Sequence, residues 1–217
     1  MSILRINDIA PNFEASTTVG KINFHSWIGN KWCVLFSHPK DFTPVCTTEL
    51  GYMAKINEEF KKRDCKIIGL SVDPLESHKK WLIDIEETQG AKVSYPMISD
   101  ENLEIAKLYN MLPADDNQVE DRTAITNATV RSIFLIDPDK KIRMMLTYPM
   151  TTGRNFDEIL RVLDSIQLSS KHKVATPANW EKNDEVIIVP AVSDDEAKRI
   201  FKDFRKVKPY LRYTKIS

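Results

Sequence analysis

The sequence predicts an α/β fold with a small C-terminal α+β arm, and three observations carry that reading. Short apolar runs of strand length alternate, up to about Leu168, with stretches whose apolar residues recur at helical spacing. The junctions between them hold turn or cap residues such as Gly, Pro, Asp and Asn. Residues 169–177 (S-S-K-H-K-V-A-T-P) then have linker composition and lead into a stretch too short to bury a core alone. The expected organisation is one domain over 1–168 and an arm over 169–217.

In order, Asn7 to Trp27 alternates weakly about Thr18-Val19-Gly20-Lys21, which predicts a hairpin with Ile22 and Phe24 on its buried face. Trp32 to Phe36 is a buried strand. Leu50, Met53, Ala54 and Phe60 mark a helix from about Pro44 to about Arg63, with Thr43 as its N-cap and Pro44 at the first position, where a missing N–H costs nothing. Lys66 to Val72 is a second buried strand, stopped by Asp73-Pro74. Ser77 caps a helix carrying Trp81, Leu82 and Ile85, and Gly90 ends it. Tyr95 to Ile98 is a short strand, followed by an Asp100-capped helix with Leu103, Ile105, Ala106 and Leu108. Residues 113–129 are polar and without period, so a surface loop near the active face is expected. Arg131 to Ile136 and Ile142 to Tyr148 are strands joined by Asp137-Pro138-Asp139-Lys140, and Asn155 caps a long helix with Phe156, Ile159, Leu160, Leu163 and Ile166 on one face. The order β-α-β-α-β-α-β-β-α is that of a thioredoxin-like domain. In the arm, a strand over Glu185 to Val192 precedes a helix opened by the capping box Ser193 and Glu196.

Composition narrows the function. The 217 residues are 42% hydrophobic, enough for a full core, and the 31 Lys plus Arg equal the 31 Asp plus Glu, which gives no reason to expect a nucleic-acid partner. From Lys198 to Lys215 there are eight Lys or Arg and one acid, Asp203; a solvated face explains this charge, although an anionic surface could use it. No apolar run approaches the ~20 residues that span a bilayer. The N-terminus turns polar too soon for a signal peptide, so no integral membrane association and a cytoplasmic location are expected. Cys33, Cys46 and Cys65 form no C-x-x-C pair, which argues against a metal site and for reduced thiols; no cofactor is expected.

One thiol stands apart. Cys46 falls at the third position of the helix that Thr43-Pro44 opens, over unpaired backbone N–H groups and the positive end of the helix dipole, and both favour thiolate. Thr43 lies one turn back on the same face, its hydroxyl suited to contacting both the sulfur and a substrate, and equally to simply capping the helix. Pro39 is suited to roofing a pocket there without adding a donor, and equally to simply ending the strand. Arg131 opens an apolar strand, where an unpaired charge is costly. His38 is suited to orienting substrate or carrying a proton, and equally to a structural role.

The pattern Pro39-x-x-x-Thr43-x-x-Cys46 resembles the active-site signature of the peroxiredoxins, and F-S-H-P-x-D-F-T-P-V-C-T-T-E-L, in which His38 precedes the Pro, resembles their one-cysteine subgroup. D-x-A-P-N-F, Y-P-x-T-T-G-R-N-F-D-E-I-L-R and V-A-T-P-x-x-W extend the likeness over nearly the whole chain. The resemblance implies a thioredoxin-like fold, peroxide substrates, an external thiol reductant of glutathione or thioredoxin type, and an arm that packs across a homodimer. It assigns Arg131 to the sulfur, Arg154 to a supporting position, and Glu49 to holding both guanidiniums. A peroxide sensor or holdase is the alternative. Some members of the subgroup carry a G-D-S-W-G segment linked to phospholipase activity; here it reads Gly29-Asn30-Lys31-Trp32-Cys33, and without the serine His25 and Asp139 have no hydroxyl to activate, so that activity is not expected.

Overall fold

The computed structural model describes residues 3–114 and 128–216, so most of the expected 113–129 loop lies outside the described residues. Two compact units divide at Arg154/Asn155.

The first unit begins with the hairpin β1 (Glu14–Thr17) and β2 (Gly20–Asn23), whose two-residue turn is closed by Thr17 opposite Gly20, the latter at φ +110° where a side chain would be strained. Phe24 does not extend the hairpin. It opens a short helix α1 (Phe24–Ile28), because Asn23 caps the Ser26 N–H. Next come β3 (Trp32–Ser37), α2 (Pro44–Lys55), α3 (Asn57–Lys62) and β4 (Cys65–Ser71). The single helix expected to Arg63 is thus broken at Ile56 (φ −96°, ψ 7°). Just past the break, Asn57 gives its side-chain amide to Ser94, a contact that anchors the second segment.

α4 (Leu75–Gln89) starts two residues earlier than Ser77, after Pro74, and ends on left-handed Gly90. β5 (Met97–Ser99) leads to α5 (Glu104–Leu108), whose N-terminal donors at Ile105 and Ala106 are taken by the Asp100 carboxylate. β6 (Arg131–Ile136) and β7 (Ile142–Tyr148) complete a seven-stranded sheet in the order β2-β1-β5-β4-β3-β6-β7, with β3, β4 and β5 parallel. One of its faces is filled by Cys33, Leu35, Ile68, Leu70, Phe134 and Ile136, wedged by Tyr109 and Phe24. The central strands are apolar on both faces, as expected of parallel strands covered on each side.

The second unit holds α6 (Phe156–Lys171), β8 (Val174–Ala175), β9 (Val186–Ile188), α7 (Asp194–Ile200), β10 (Phe204–Lys208) and β11 (Leu211–Thr214), with its four strands in the order β10-β11-β9-β8. Asn155 caps α6 by accepting from Asp157 and Glu158 N–H. The arm was expected to have too little core to stand alone. With α6 counted in, Val174, Trp180, Val186, Ile188, Val192, Ala197 and Phe201 make a small core of their own. The expected linker at 169–177 contributes strand β8, and the expected strand over Glu185 to Val192 shortens to three residues before Pro190. The basic stretch is a helix end plus a hairpin, with Arg205, Lys206 and Arg212 paired to Glu185 and Asp194. Among the described residues no helix is long and apolar enough to cross a membrane.

Candidate active site

Strand β3 ends at Ser37, and the chain turns through 38–43 before Pro44 starts α2. The site therefore sits at the carboxyl end of a central parallel strand, where the chain must leave the sheet and side chains are free to converge. Thr43 occupies the N-cap position, yet its side chain does not cap: the hydroxyl donates to the Lys40 carbonyl at 2.8 Å, and the Thr47 N–H and hydroxyl take the Thr43 carbonyl instead. That leaves the Thr43 oxygen with lone pairs to accept a bond. Phe42 holds the turn with a left-handed backbone at φ +54° and is half exposed. Pro39 is buried beside it in sequence.

Cys46, at the third position of α2, has a fully buried side chain. Arg131, the first residue of β6, places Nη1 3.4 Å from its Sγ. The same Nη1 lies 2.7 Å from Glu49 Oε2, while Arg131 Nε and Nη2 donate to the Met150 carbonyl at 2.8 and 2.6 Å. Glu49, one turn beyond Cys46, also receives Arg154: Nε and backbone N–H to Oε1 at 2.9 and 2.8 Å, and Nη2 to Oε2 at 2.7 Å. Arg154 Nη1 goes to the Ser132 carbonyl, and its guanidinium lies 5.3 Å from the Phe36 ring. Burial pushes the Glu49 carboxyl up, but hydrogen bonds and charge from Arg154, with the charge of Arg131, outweigh this and hold it below its ordinary value. Two buried cations face one carboxylate, so the cluster carries a net charge of about +1 that calls for an anion. Cys46 Sγ touches this cluster through Arg131 Nη1.

The other two cysteines are differently placed. Pairing of Trp32 with Cys65 and Cys33 with Lys66 sends the Cys33 and Cys65 side chains to opposite faces of the sheet. Burial pushes both thiols well above their usual range.

Residues 6–145 match the AhpC/TSA family, and residues 165–203 match the C-terminal domain of 1-Cys peroxiredoxin. The chain belongs to the one-cysteine peroxiredoxins. It is 55% identical over 214 residues to the mitochondrial peroxiredoxin PRX1 of Saccharomyces cerevisiae, covering 98% of this chain and 81% of that one. It is 48% identical over 221 residues to human peroxiredoxin-6, covering 97% of each. Among solved structures, a yeast mitochondrial 1-Cys peroxiredoxin, studied for thiol resolution through glutathione/thioredoxin systems, superposes with TM-score 0.89 at 52% identity over 99% of this chain and 100% of that one. Peroxiredoxin 6 of Arenicola marina, as a cysteine-to-serine mutant, superposes with TM-score 0.90 at 46% identity over 98% of each chain. As a peroxiredoxin of this type, the protein is a thiol-dependent peroxidase. The expected cytoplasmic location does not stand, because a relative this similar is mitochondrial by name. N-terminal composition does not decide the compartment: targeting segments are short addresses, separable from the fold.

Around this peroxiredoxin's segment 29–33, Lys31 is paired with Asp64 at 2.8 Å and His25 Nε2 lies 2.7 Å from the Ala10 carbonyl. His38 lies in the same turn as Pro39 and Thr43, its ring 5.1 Å from Trp81, whose Nε1 donates to Thr47. His38 does not stand alone: Asp41 and His78 join it, all three buried. Sequence reasoning missed these partners. The signal was present, since His78 shares the core spacing of Trp81 and Ile85 on α4, where a polar residue needs a buried partner. Among the described residues this trio is also the grouping of metal-ligand type, with ligand atoms within 4.8 Å. One nitrogen of each histidine, His38 Nε2 and His78 Nδ1, already lies within hydrogen-bond distance of the carboxylate.

Proposed function

We propose that Cys46 is the peroxidatic thiol for hydrogen peroxide and small organic hydroperoxides, and that an external thiol of glutathione or thioredoxin type regenerates it. The observation that carries this reading is Arg131 Nη1 at 3.4 Å from Sγ, inside a buried cluster one negative charge short. At such a separation the guanidinium is placed to stabilise negative charge on the sulfur and on the oxygen it attacks.

The thiolate attacks the terminal oxygen of ROOH. An S–O bond forms, the O–O bond breaks, and RO⁻ leaves to become ROH. Arg131 faces the reacting centre and stabilises charge spreading onto the leaving oxygen, while Thr43, its own proton committed to Lys40, accepts from the peroxide O–H and aligns it. Pro39 closes the turn without adding a competing donor. Glu49 and Arg154 hold Arg131 in place, and His38 carries a proton. The resulting sulfenic acid condenses with an external thiol, releasing water, and a second thiol frees Cys46. Net, ROOH and two thiols give ROH, a disulfide and water.

We place the chemistry in the thioredoxin-like domain over 1–168 and read the arm over 169–217 as the part that associates with a second copy in a homodimer. Supporting this, the arm matches a domain characteristic of one-cysteine peroxiredoxins and leaves Ile200, Val207 and Tyr210 exposed. The test is peroxide consumption with glutathione, thioredoxin and glutaredoxin supplied in turn. Sustained turnover with one of them is expected; a single oxidation event with none of them turning over would point to a sensor instead.

A further inference from the structure

The buried trio beside the catalytic turn can be assigned proton by proton. His78 Nδ1 lies 2.7 Å from Asp41 Oδ2 and its Nε2 lies 3.0 Å from the Ile98 carbonyl. A carbonyl and an ionised carboxylate only accept, so each His78 nitrogen brings its own proton and the ring is an imidazolium. His38 Nε2 lies 2.8 Å from Asp41 Oδ1, and the same reasoning puts a proton there. His38 Nδ1 is buried with no partner among the described residues. Asp41 is already neutralised by His78, so a second positive charge on His38, with an N–H bonded to nothing, is the costlier state. The directions of titration agree. Burial lowers His38 against the pull of Asp41, whereas at His78 the bonds to Asp41 and Ile98 outweigh burial and raise it.

Among the described residues, three groups that titrate face His38: Asp41, His78 and, through the Asp41 backbone N–H that it accepts, Asp73. The uncharged neighbour is Trp81, which also donates to Thr47, the residue after Cys46, so His38 and the first turn of α2 share one wall.

We propose that Asp41 and His78 are positioning residues for the peroxidase cycle: they fix His38 as the neutral Nε2–H tautomer, which leaves Nδ1 bare to take up a proton inside the catalytic turn. This rests on Cys46 being the peroxidatic thiol. Cys46 S–H gives its proton to Nδ1 as it becomes the attacking thiolate, and the leaving oxygen receives that proton as the S–O bond forms and the O–O bond breaks, so Cys46–SH and ROOH become Cys46–SOH and ROH. Nδ1 holds that proton in between, and nothing is oxidised or reduced at the imidazole. Removing the His78 charge leaves Asp41 unbalanced, and His38 then becomes the counter-cation with Nδ1 already occupied.

The test combines ring-nitrogen NMR on ¹⁵N-histidine protein with peroxide-consumption rates against pH, in wild type and in His78→Gln. In the wild type between about pH 6 and 8, His38 should show a protonated Nε2 and a bare Nδ1, and His78 two protonated nitrogens. His78→Gln should turn His38 into the doubly protonated form, shift the acid limb of the rate profile to higher pH, and slow turnover at neutral pH by tenfold or more, the scale of a lost acid–base group being about 10²–10⁴. A protonated His38 Nδ1 in the wild type would overturn the proposal without any variant having to fold, as would a rate profile unmoved in His78→Gln. Failure of the Cys46 reading would look different: Cys46→Ser would retain turnover, whatever tautomer His38 shows.

Discussion

Two ends of one strand hold two kinds of thiol. Cys33, near the start of β3, and Cys65, at the start of β4, are buried, and burial is the largest influence on each, outweighing the cations Lys66 and Arg63 nearby and raising both. Cys46, just past the other end of β3, is no more exposed than they are, at 0% against 0% and 3%. Exposure therefore does not separate the sulfur we propose as reactive from the other two. What separates them is the company of the sulfur: Arg131 at 3.4 Å, backed by Glu49 and Arg154.

The sharpest break of that contrast is substitution of the sulfurs themselves. Cys46→Ser should reduce peroxide consumption to background, while Cys33→Ala and Cys65→Ala retain most of it; equal losses in all three would erase the distinction. Next in size is Glu49→Gln, which leaves two buried guanidiniums facing a neutral amide. A cost of about 3–5 kcal/mol is expected, read from the urea midpoint at constant m-value. The pH sign follows from its lowered titration. A carboxyl held below its ordinary 4.5 contributes stability that is present above that pH and lost as pH falls through its folded value. Glu49→Gln should accordingly lose less stability than wild type on acidification below about 4.5. Arg131→Met should slow the reaction with peroxide by about 10²–10³, measured under single-turnover oxidation, with little change in unfolding midpoint beyond that of the Glu49 pair. The smallest effect is an expected zero: peptide mapping after peroxide treatment should find no disulfide from Cys46 to Cys33 or Cys65, and finding one would collapse the contrast.

Much of this contrast was legible in the chain. Thr43-Pro44 announces a helix start, and three residues of arithmetic put Cys46 in the first turn. Arg131 is conspicuous as a charge heading an apolar run, but alone it reads as a strand-edge residue, and only the family resemblance assigned it to the sulfur and Glu49, one turn beyond Cys46, to the guanidiniums. What was not legible depends on long-range pairing. The hydroxyl of Thr43 turns to Lys40 rather than capping, a competition between two local acceptors that sequence does not rank. The break at Ile56 and the partnership of Asp41 with His78, 37 residues away, are fixed by which helices meet. The β10–β11 hairpin was missed because its exposed, cation-rich face carries little apolar alternation.

The register of β3 against β4 has a kinetic corollary. It sends Cys33 and Cys65 to opposite faces at the strand starts, whereas Cys46 lies past the other end of β3, and we propose that neither thiol resolves an oxidised Cys46. Its return to the thiol is then a second-order event. A chain with an internal partner resets at a rate fixed by its own fold, indifferent to dilution. On that reading the reset rate scales with the thiol concentration outside, so the steady-state ratio of oxidised to reduced protein is peroxide over thiol, each weighted by its rate constant.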